Sequence, residues 1–213
     1  MILGMYNSNL ETLEKNILPR EFYLQDTFEC LKQCLGKIVV RQDLEGLTVG
    51  RIVEAEAYLG GVDKASHSYL NKFTPRTKIQ FGLGGHAYIF SVHTYNQFCF
   101  VTGAENVADV VLIRGIEPIS GIDLMKQRRP GILDDKNLTN GPGKLCISFN
   151  ITKQLYGADL TDPTSGLFLT DDNFQIADDQ IVKTARVGID YAEEYKDMPW
   201  RYYIKGNQFV SKK

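Results

Sequence analysis

The sequence predicts an α+β fold: a single domain built on a curved, mostly antiparallel, open-barrel-like β-sheet flanked by helices. Strand-like segments at Ala87–Val92, residues 98–102 and residues 109–114 follow one another with brief turns, a meander rather than alternating βα units. Two helical segments with recognisable starts and stops stand apart from that run. A chain of 213 residues with 43% apolar content can fill one substantial core. Gly and Pro are scattered, and there is no repeat, linker or low-complexity tract, so residues 18–213 read as one domain. Residues 1–17 carry no strong pattern and are expected to form a loosely held arm.

Taken in order, Asp26-Thr27-Phe28-Glu29 has the form of a capping box, and Gly36 supplies the stop of the helix it opens. That helix turns Phe28, Leu31 and Leu35 to one side. Cys30 and Cys34 lie four apart on it, the spacing of a metal pair, but no His pair has matching spacing and core burial explains them better. Residues 37–40 and 47–56 read as strands joined by a polar turn at residues 43–46. The glycine-rich turn at residues 82–85 lacks the Lys-Ser/Thr of a phosphate-binding loop. Pro118 leads into a helix that ends near Arg129, before Pro130. Asn140-Gly-Pro-Gly-Lys144 opens a second helix running through Phe149. Its free N–H groups and Lys144 suit a phosphate, although an ordinary helix start with Pro in its first turn accounts for it equally. Residues 167–169, 186–189 and 202–205 are further strand candidates.

No stretch approaches the roughly 20 apolar residues of a membrane span, and residues 1–9 are too short and polar for a signal peptide. Four cysteines in a chain of this length do not make a disulfide scaffold. A soluble protein of a reducing compartment is expected, with no membrane partner. The net charge of −2 hides an asymmetry. Residues 64–104 hold Lys64, Lys72, Arg76, Lys78 and three histidines but no Asp or Glu. Such a face is an electrostatic footprint for a polyanion, or else a chance fluctuation of composition.

The stretch at residues 51–68, RIVEAEAYLGGVDKASHS, carries the clearest chemistry. Alternation places Ile52, Glu54, Glu56 and Tyr58 on one strand face and Val53, Ala55 and Ala57 on the other, with the small apolar set turned inward. A carboxylate beside an aromatic ring in an apolar pocket is a candidate general base. A solvated edge strand with two surface glutamates would show the same period.

The chain resembles the 3-methyladenine (alkylpurine) DNA glycosylases of the mammalian-type family. The resemblance runs from Leu18-Pro-Arg-Glu-Phe-Tyr to Lys205-Gly-Asn-Gln-Phe-Val-Ser211. Its densest matches are RIVEAEAYLG (51–60), AxHS (65–68), TPR (74–76), GHAY (85–88), VLIRGIEP (111–118), NGPGKLC (140–146) and RVGIDYA (186–192). It implies a monofunctional enzyme of base excision repair that flips an alkylated or otherwise damaged purine from duplex DNA. The enzyme then hydrolyses the N-glycosidic bond with water, using neither metal nor organic cofactor. Glu56 matches the family's general base and Arg114 the arginine that helps hold the water and the carboxylate. Tyr58 and His67 match two walls of the base pocket. Glu54, on the same strand face, has no assigned chemical role and is expected to be structural. The DNA contacts are expected from Lys72, Arg76, Lys78 and Lys144. The resemblance implies a monomer acting inside the cell, with the DNA.

The chain departs from the family pattern in one region. The third pocket aromatic, usually Tyr, is Phe90. The tyrosine that wedges into the gap left by the flipped nucleotide falls on His93, with Tyr95 two residues on as the rival. Residues 91–103 are about one residue short, and Cys99 or Phe98 falls near the asparagine of the pocket floor. A lesion-binding protein that senses bases without cutting, and a nucleoside hydrolase, are the competing readings.

Overall fold

The computed structural model describes residues 10–212. Its helices and strands are, in order, α1 (Leu10–Glu14), α2 (Arg20–Tyr23), α3 (Thr27–Cys34), β1 (Ile38–Asp43), β2 (Gly46–Tyr58), β3 (Ala87–Val92), β4 (Tyr95–Thr102), β5 (Asp109–Ser120), α4 (Ile122–Arg128), α5 (Pro142–Ser148), β6 (Leu167–Thr170), β7 (Ile181–Thr184) and β8 (Arg201–Ile204). The strands form one antiparallel sheet in the order β3-β4-β5-β2-β1-β6 that does not close into a barrel. The long strand β2 organises it. β5 covers one edge of β2 along nearly its whole length, while β1 and then β8 share the other edge. β7 extends the sheet beyond β8.

Local chemistry explains the turns. Asp43 accepts from the Glu45 and Gly46 amides at 2.9 and 3.2 Å, closing the β1–β2 hairpin. Asp26 caps α3 by accepting the Phe28 amide at 2.8 Å, rather than that of Glu29 as a capping box would have it. Behind it Cys30, Leu31 and Cys34 are fully buried in the main core with Ile52, Ala55, Ala57, Val111 and Ile113. β5 continues to Ser120, with Pro118 paired to Gly50, so α4 starts four residues later than the proline suggests. Residues 10–17 are not a free arm. Leu13 is buried, Leu10 and Ile17 pack beside it on Ile38, Val40 and Phe168, and Ile17 bridges Thr170. The remainder of the expected arm, residues 1–9, lies outside the described residues.

Two further expectations need correction. Residues 186–189 are a loop and not a strand; the last hairpin is built from β7 and β8 instead. The alternation along β2 breaks as well, because register shifts flank Glu54 opposite Gly115. The first shift inserts an extra residue into β2 at Val53, the second an extra residue into β5 at Arg114, and the bulge resets which way side chains of β2 face. Ile52 therefore joins Ala55 and Ala57 in the main core, whereas Val53 packs with Phe209 and Val210 beside the Glu54 face. Neither glutamate is at a solvated edge: Glu54 and Glu56 are both 0% exposed.

Gly115 makes the bulge possible. A Cβ there would meet the Phe209 carbonyl at 2.7 Å and the Glu54 Cβ at 3.2 Å. Gly115→Ala is expected to destabilise the fold by about 1–3 kcal/mol through overpacking. Thermal unfolding checks this, at about 2–4 °C of Tm per kcal/mol for a chain of this size; an unchanged Tm would show that the bulge can yield.

Candidate active site

β2 delivers Glu54, Glu56 and Tyr58 to one face, and β5 delivers Arg114 beside them. The Arg114 Nε donates to Glu54 Oε1 at 3.2 Å, Nη1 to Glu56 Oε2 at 3.3 Å, and Nη2 to the Ser211 hydroxyl at 3.3 Å. Its three donor nitrogens thus fix the guanidinium plane. Burial works against the Arg114 charge, but the Glu56 and Glu54 carboxylates outweigh it and hold the pKa above its ordinary value. Glu54 also accepts from Arg201 at 2.8 Å, from the Ser211 amide at 2.6 Å and from the Ser211 hydroxyl at 2.9 Å. Two carboxylates therefore face two guanidiniums in a buried, charge-balanced network.

Glu56 makes two further contacts. Oε2 accepts from the Tyr58 hydroxyl at 2.8 Å, and Oε1 from the Val187 amide at 2.8 Å. Burial, reinforced by the Glu56 charge, raises the Tyr58 pKa and keeps its phenol a donor. The Val187 amide comes from the loop at residues 186–189. Arg186 pins that loop: it is 6% exposed, donates to Asp63 at 2.8 Å and to the Ala57 carbonyl at 2.8 Å, and lies against the rings of Tyr58 and Trp200.

Tyr58, Arg114 and Val187, the groups that hold Glu56, all line one cavity of about 330 Å³. Its walls include His67, Gln80, Tyr88, Phe90, Gln97, Cys99 and Tyr191. Such a volume, largely apolar with a few convergent polar groups, fits a small-molecule or single-base site. The Phe90 ring stacks on Tyr88 at 5.2 Å, and His67 stands edge-on to Phe90 at 4.6 Å. Cys99 is the member of the Phe98/Cys99 pair that lines the cavity; Phe98 is buried in the main core. Tyr88, Gln80, Gln97, Tyr191 and the Val187 amide were not singled out from sequence. Tyr88 lay within the GHAY motif, and Val187 within RVGIDYA.

His67 has a defined protonation state. Its Nε2 faces an Arg76 nitrogen at 2.9 Å, and arginine has no acceptor, so Nε2 takes the bond and Nδ1 carries the proton toward the Tyr88 hydroxyl at 2.8 Å. Burial, aided by the Arg76 charge, pushes the His67 pKa down to about 4.

The remaining candidates lie around this cavity. Lys72, Arg76 and Lys78 are exposed on the segment that follows His67. Lys64, counted with them from sequence, is occupied by Glu193 and Glu194 at 2.6 and 3.1 Å. His93 is exposed at the β3–β4 hairpin tip with φ of 53°. Tyr95 is 53% exposed and lies over Gly143 in the first turn of α5. The Lys144 ammonium donates to Asn140 at 2.8 Å. Among the described residues no helix is long and apolar enough to cross a membrane.

The depressed His67 pKa has a consequence for stability. The unfolded imidazole protonates near pH 6.5 but the folded one only near 4. The stabilisation is thus complete above about pH 6.5 and is lost as pH falls toward 4, up to about 3 kcal/mol. Denaturant unfolding of the parent and His67→Gln across this window should show the parent losing more stability by about 2–3 kcal/mol. Parallel curves would contradict a neutral, buried His67.

Comparison with known proteins identifies the family. The model of the family described as methylpurine-DNA glycosylase matches residues 21–208. A candidate 3-methyladenine DNA glycosylase of Clostridium novyi (strain NT) is 46% identical over 204 residues, covering 92% of this chain and 98% of its own. Similar proteins of the same description from Alkaliphilus oremlandii (strain OhILAs) and Clostridium perfringens (strain 13 / Type A) are 45% and 42% identical, each covering 92% of this chain and 99% of their own. The chain belongs to the methylpurine-DNA glycosylase family and is a hydrolytic DNA glycosylase.

Proposed function

We propose that this protein extrudes an alkylated purine nucleotide, 3-methyladenine among them, from duplex DNA into the aromatic cavity and cleaves its N-glycosidic bond with a water activated by Glu56. The observation that carries this reading is the placement of Glu56, fully buried and oriented by Tyr58, Arg114 and the Val187 amide, all three of which line the cavity. The reactive carbon is inaccessible inside the stack, so the nucleotide must leave it. As the bond to the base breaks, its electron pair goes to the base. Water adds to the sugar carbon, and Glu56 accepts the proton that the water gives up. Arg114 steadies the carboxylate throughout.

The cavity suits a cationic base. Tyr88 and Phe90 offer π faces, and a stacked base gains about 1–3 kcal/mol from such a ring. His67, neutral above about pH 4, adds no charge to repel the cation. Exposed Lys72, Arg76 and Lys78, on the segment after His67, are the proposed contacts to the DNA backbone, with Lys144 in the first turn of α5 as a further one. His93 is the proposed wedge, since it stands at the hairpin tip while Tyr95 is turned onto α5.

Glu56→Gln should retain the fold and duplex binding but lower single-turnover base release by about 10²–10⁴-fold, since the amide cannot accept the water's proton. Release within about tenfold of the parent would sink the assignment. Glu54→Gln should act differently: by breaking up the Arg114–Arg201–Ser211 cluster it should lower stability by about 3–5 kcal/mol.

The wedge is tested with a fluorescent base beside the lesion. His93→Ala should abolish the flipping signal and His93→Tyr should keep or improve it, because some side chain must fill the gap. If Tyr95→Ala is instead the damaging change and His93→Ala is mild, the wedge is Tyr95.

A further inference from the structure

Most polar groups in the cavity wall already have protein partners. The Tyr58 hydroxyl and the Val187 amide serve Glu56, both His67 nitrogens are bonded, and the Ser66 hydroxyl meets that of Ser68 at 3.0 Å. Gln80 differs. It is 1% exposed and lines the cavity, and its amide oxygen is buried with no hydrogen-bond partner. Folded chains rarely leave a buried carbonyl unpaired, and such orphans mark strain or function. Strain is not evident here. Gln80 stands in the short helical turn Lys78–Phe81, where its own amide donates to the Thr77 carbonyl at 2.8 Å. The turn is held from outside by the Tyr156 hydroxyl, which accepts the Ile79 amide at 3.1 Å. The side chain is thus presented to the cavity by a fixed backbone.

We infer that Gln80 is a specificity-determining residue that selects extruded purines presenting an N–H donor at their edge. The inference rests on the reading of the cavity as the base pocket. The amide oxygen is an acceptor only, so its missing partner must be a donor. An exocyclic amine, as in 3-methyladenine, supplies one, and so does the ring N–H of a 6-oxopurine. An etheno-bridged adenine, whose amine nitrogen is closed into a ring, does not, and it would leave the amide unpaired. A site built to hydrogen-bond a substrate group discriminates against an analogue lacking it far more strongly than an apolar wall does.

Gln80→Met keeps the length and approximate volume of the side chain but removes the acceptor. Single-turnover release of 3-methyladenine from methylated duplex and of ethenoadenine from a synthetic duplex, alongside thermal unfolding, tests the role. The variant should lose about tenfold or more on 3-methyladenine, hold or gain on ethenoadenine, and keep its Tm or raise it. Equal losses on both lesions with a lower Tm would mean a structural residue and overturn the proposal. Unchanged 3-methyladenine release would overturn it as well. If the parent releases neither base, the base-pocket reading falls and takes this one with it; release by the parent with an unaltered lesion ratio in Gln80→Met defeats this proposal alone.

Discussion

Two carboxylates at 0% exposure on one strand face, Glu54 and Glu56, would be prohibitive in a protein interior without compensation. Arg114 makes the arrangement possible. It bonds both, and its third nitrogen is anchored to Ser211. Arg201 supplies the second positive charge through Glu54. With Glu54 satisfied by two guanidiniums and the Ser211 backbone and hydroxyl, Arg114 cannot swing away to pair with Glu56 alone. On the proposed reading of Glu56 as the base, Glu54 would act through Arg114, as a positioning residue, with the C-terminal segment around Ser211 supporting both. Orientation rather than simple burial is what a general base needs, since misplacement by about 1 Å can cost 10²-fold in rate.

The bulge in β2 and the Arg186 loop serve the same end from opposite sides. Without the extra residue at Val53/Glu54, the strand could not turn Ile52 into the main core and still hold Glu54 and Glu56 away from it. Gly115, opposite, leaves room for the Glu54 stem. On the far side, Arg186 is locked between Asp63, the Ala57 carbonyl and two aromatic rings. Its neighbour Val187 can then offer a fixed amide to Glu56. Backbone donors of this kind need no side-chain entropy to stay aimed, which suits a preorganised site.

These features explain what was legible in the sequence. Period-2 alternation from Glu54 to Tyr58 and the order of short strands gave an antiparallel α+β sheet, because both are local properties of the chain. The bulge was invisible, since a register shift depends on the partner strand as much as on β2 itself. Residues 186–189 carry β-favouring Val and Ile, yet they form a loop because Arg186 is drawn into a buried ion pair with Asp63, over 100 residues away in the chain. Glu56, Arg114, Tyr58, His67 and Phe90 came from motif resemblance, and the structure gathers them around one cavity. Tyr88 sat inside the GHAY motif but its place in the cavity shows only in the structure, and Gln80 lay in no motif: a glutamine in a polar loop becomes distinctive only when its burial and its unmet hydrogen bond are known.

The charge distribution resolves the apparent conflict between an acidic chain and a DNA substrate. Most cations of the sheet and its helices are already committed to carboxylates: Arg51 to Asp172, Lys37 to Asp171, Arg128 to Asp43 and Lys126 to Asp135. Lys64 is likewise taken by Glu193 and Glu194. Among the described residues, Lys72, Arg76 and Lys78 enter no salt bridge, and all three are exposed on the segment that follows His67. Formal charge averages over both populations, whereas a phosphate backbone responds to the uncommitted one within about a Debye length, roughly 8–10 Å. Arg76 belongs to both worlds. Its guanidinium faces outward yet bonds His67 and lies over Phe90, so neutralisation of that charge by a phosphate would be felt at the cavity wall. Because the Arg76 charge is one of the two causes holding the His67 pKa near 4, the backbone contact proposed for Arg76 would be coupled electrostatically to the charge state of the pocket.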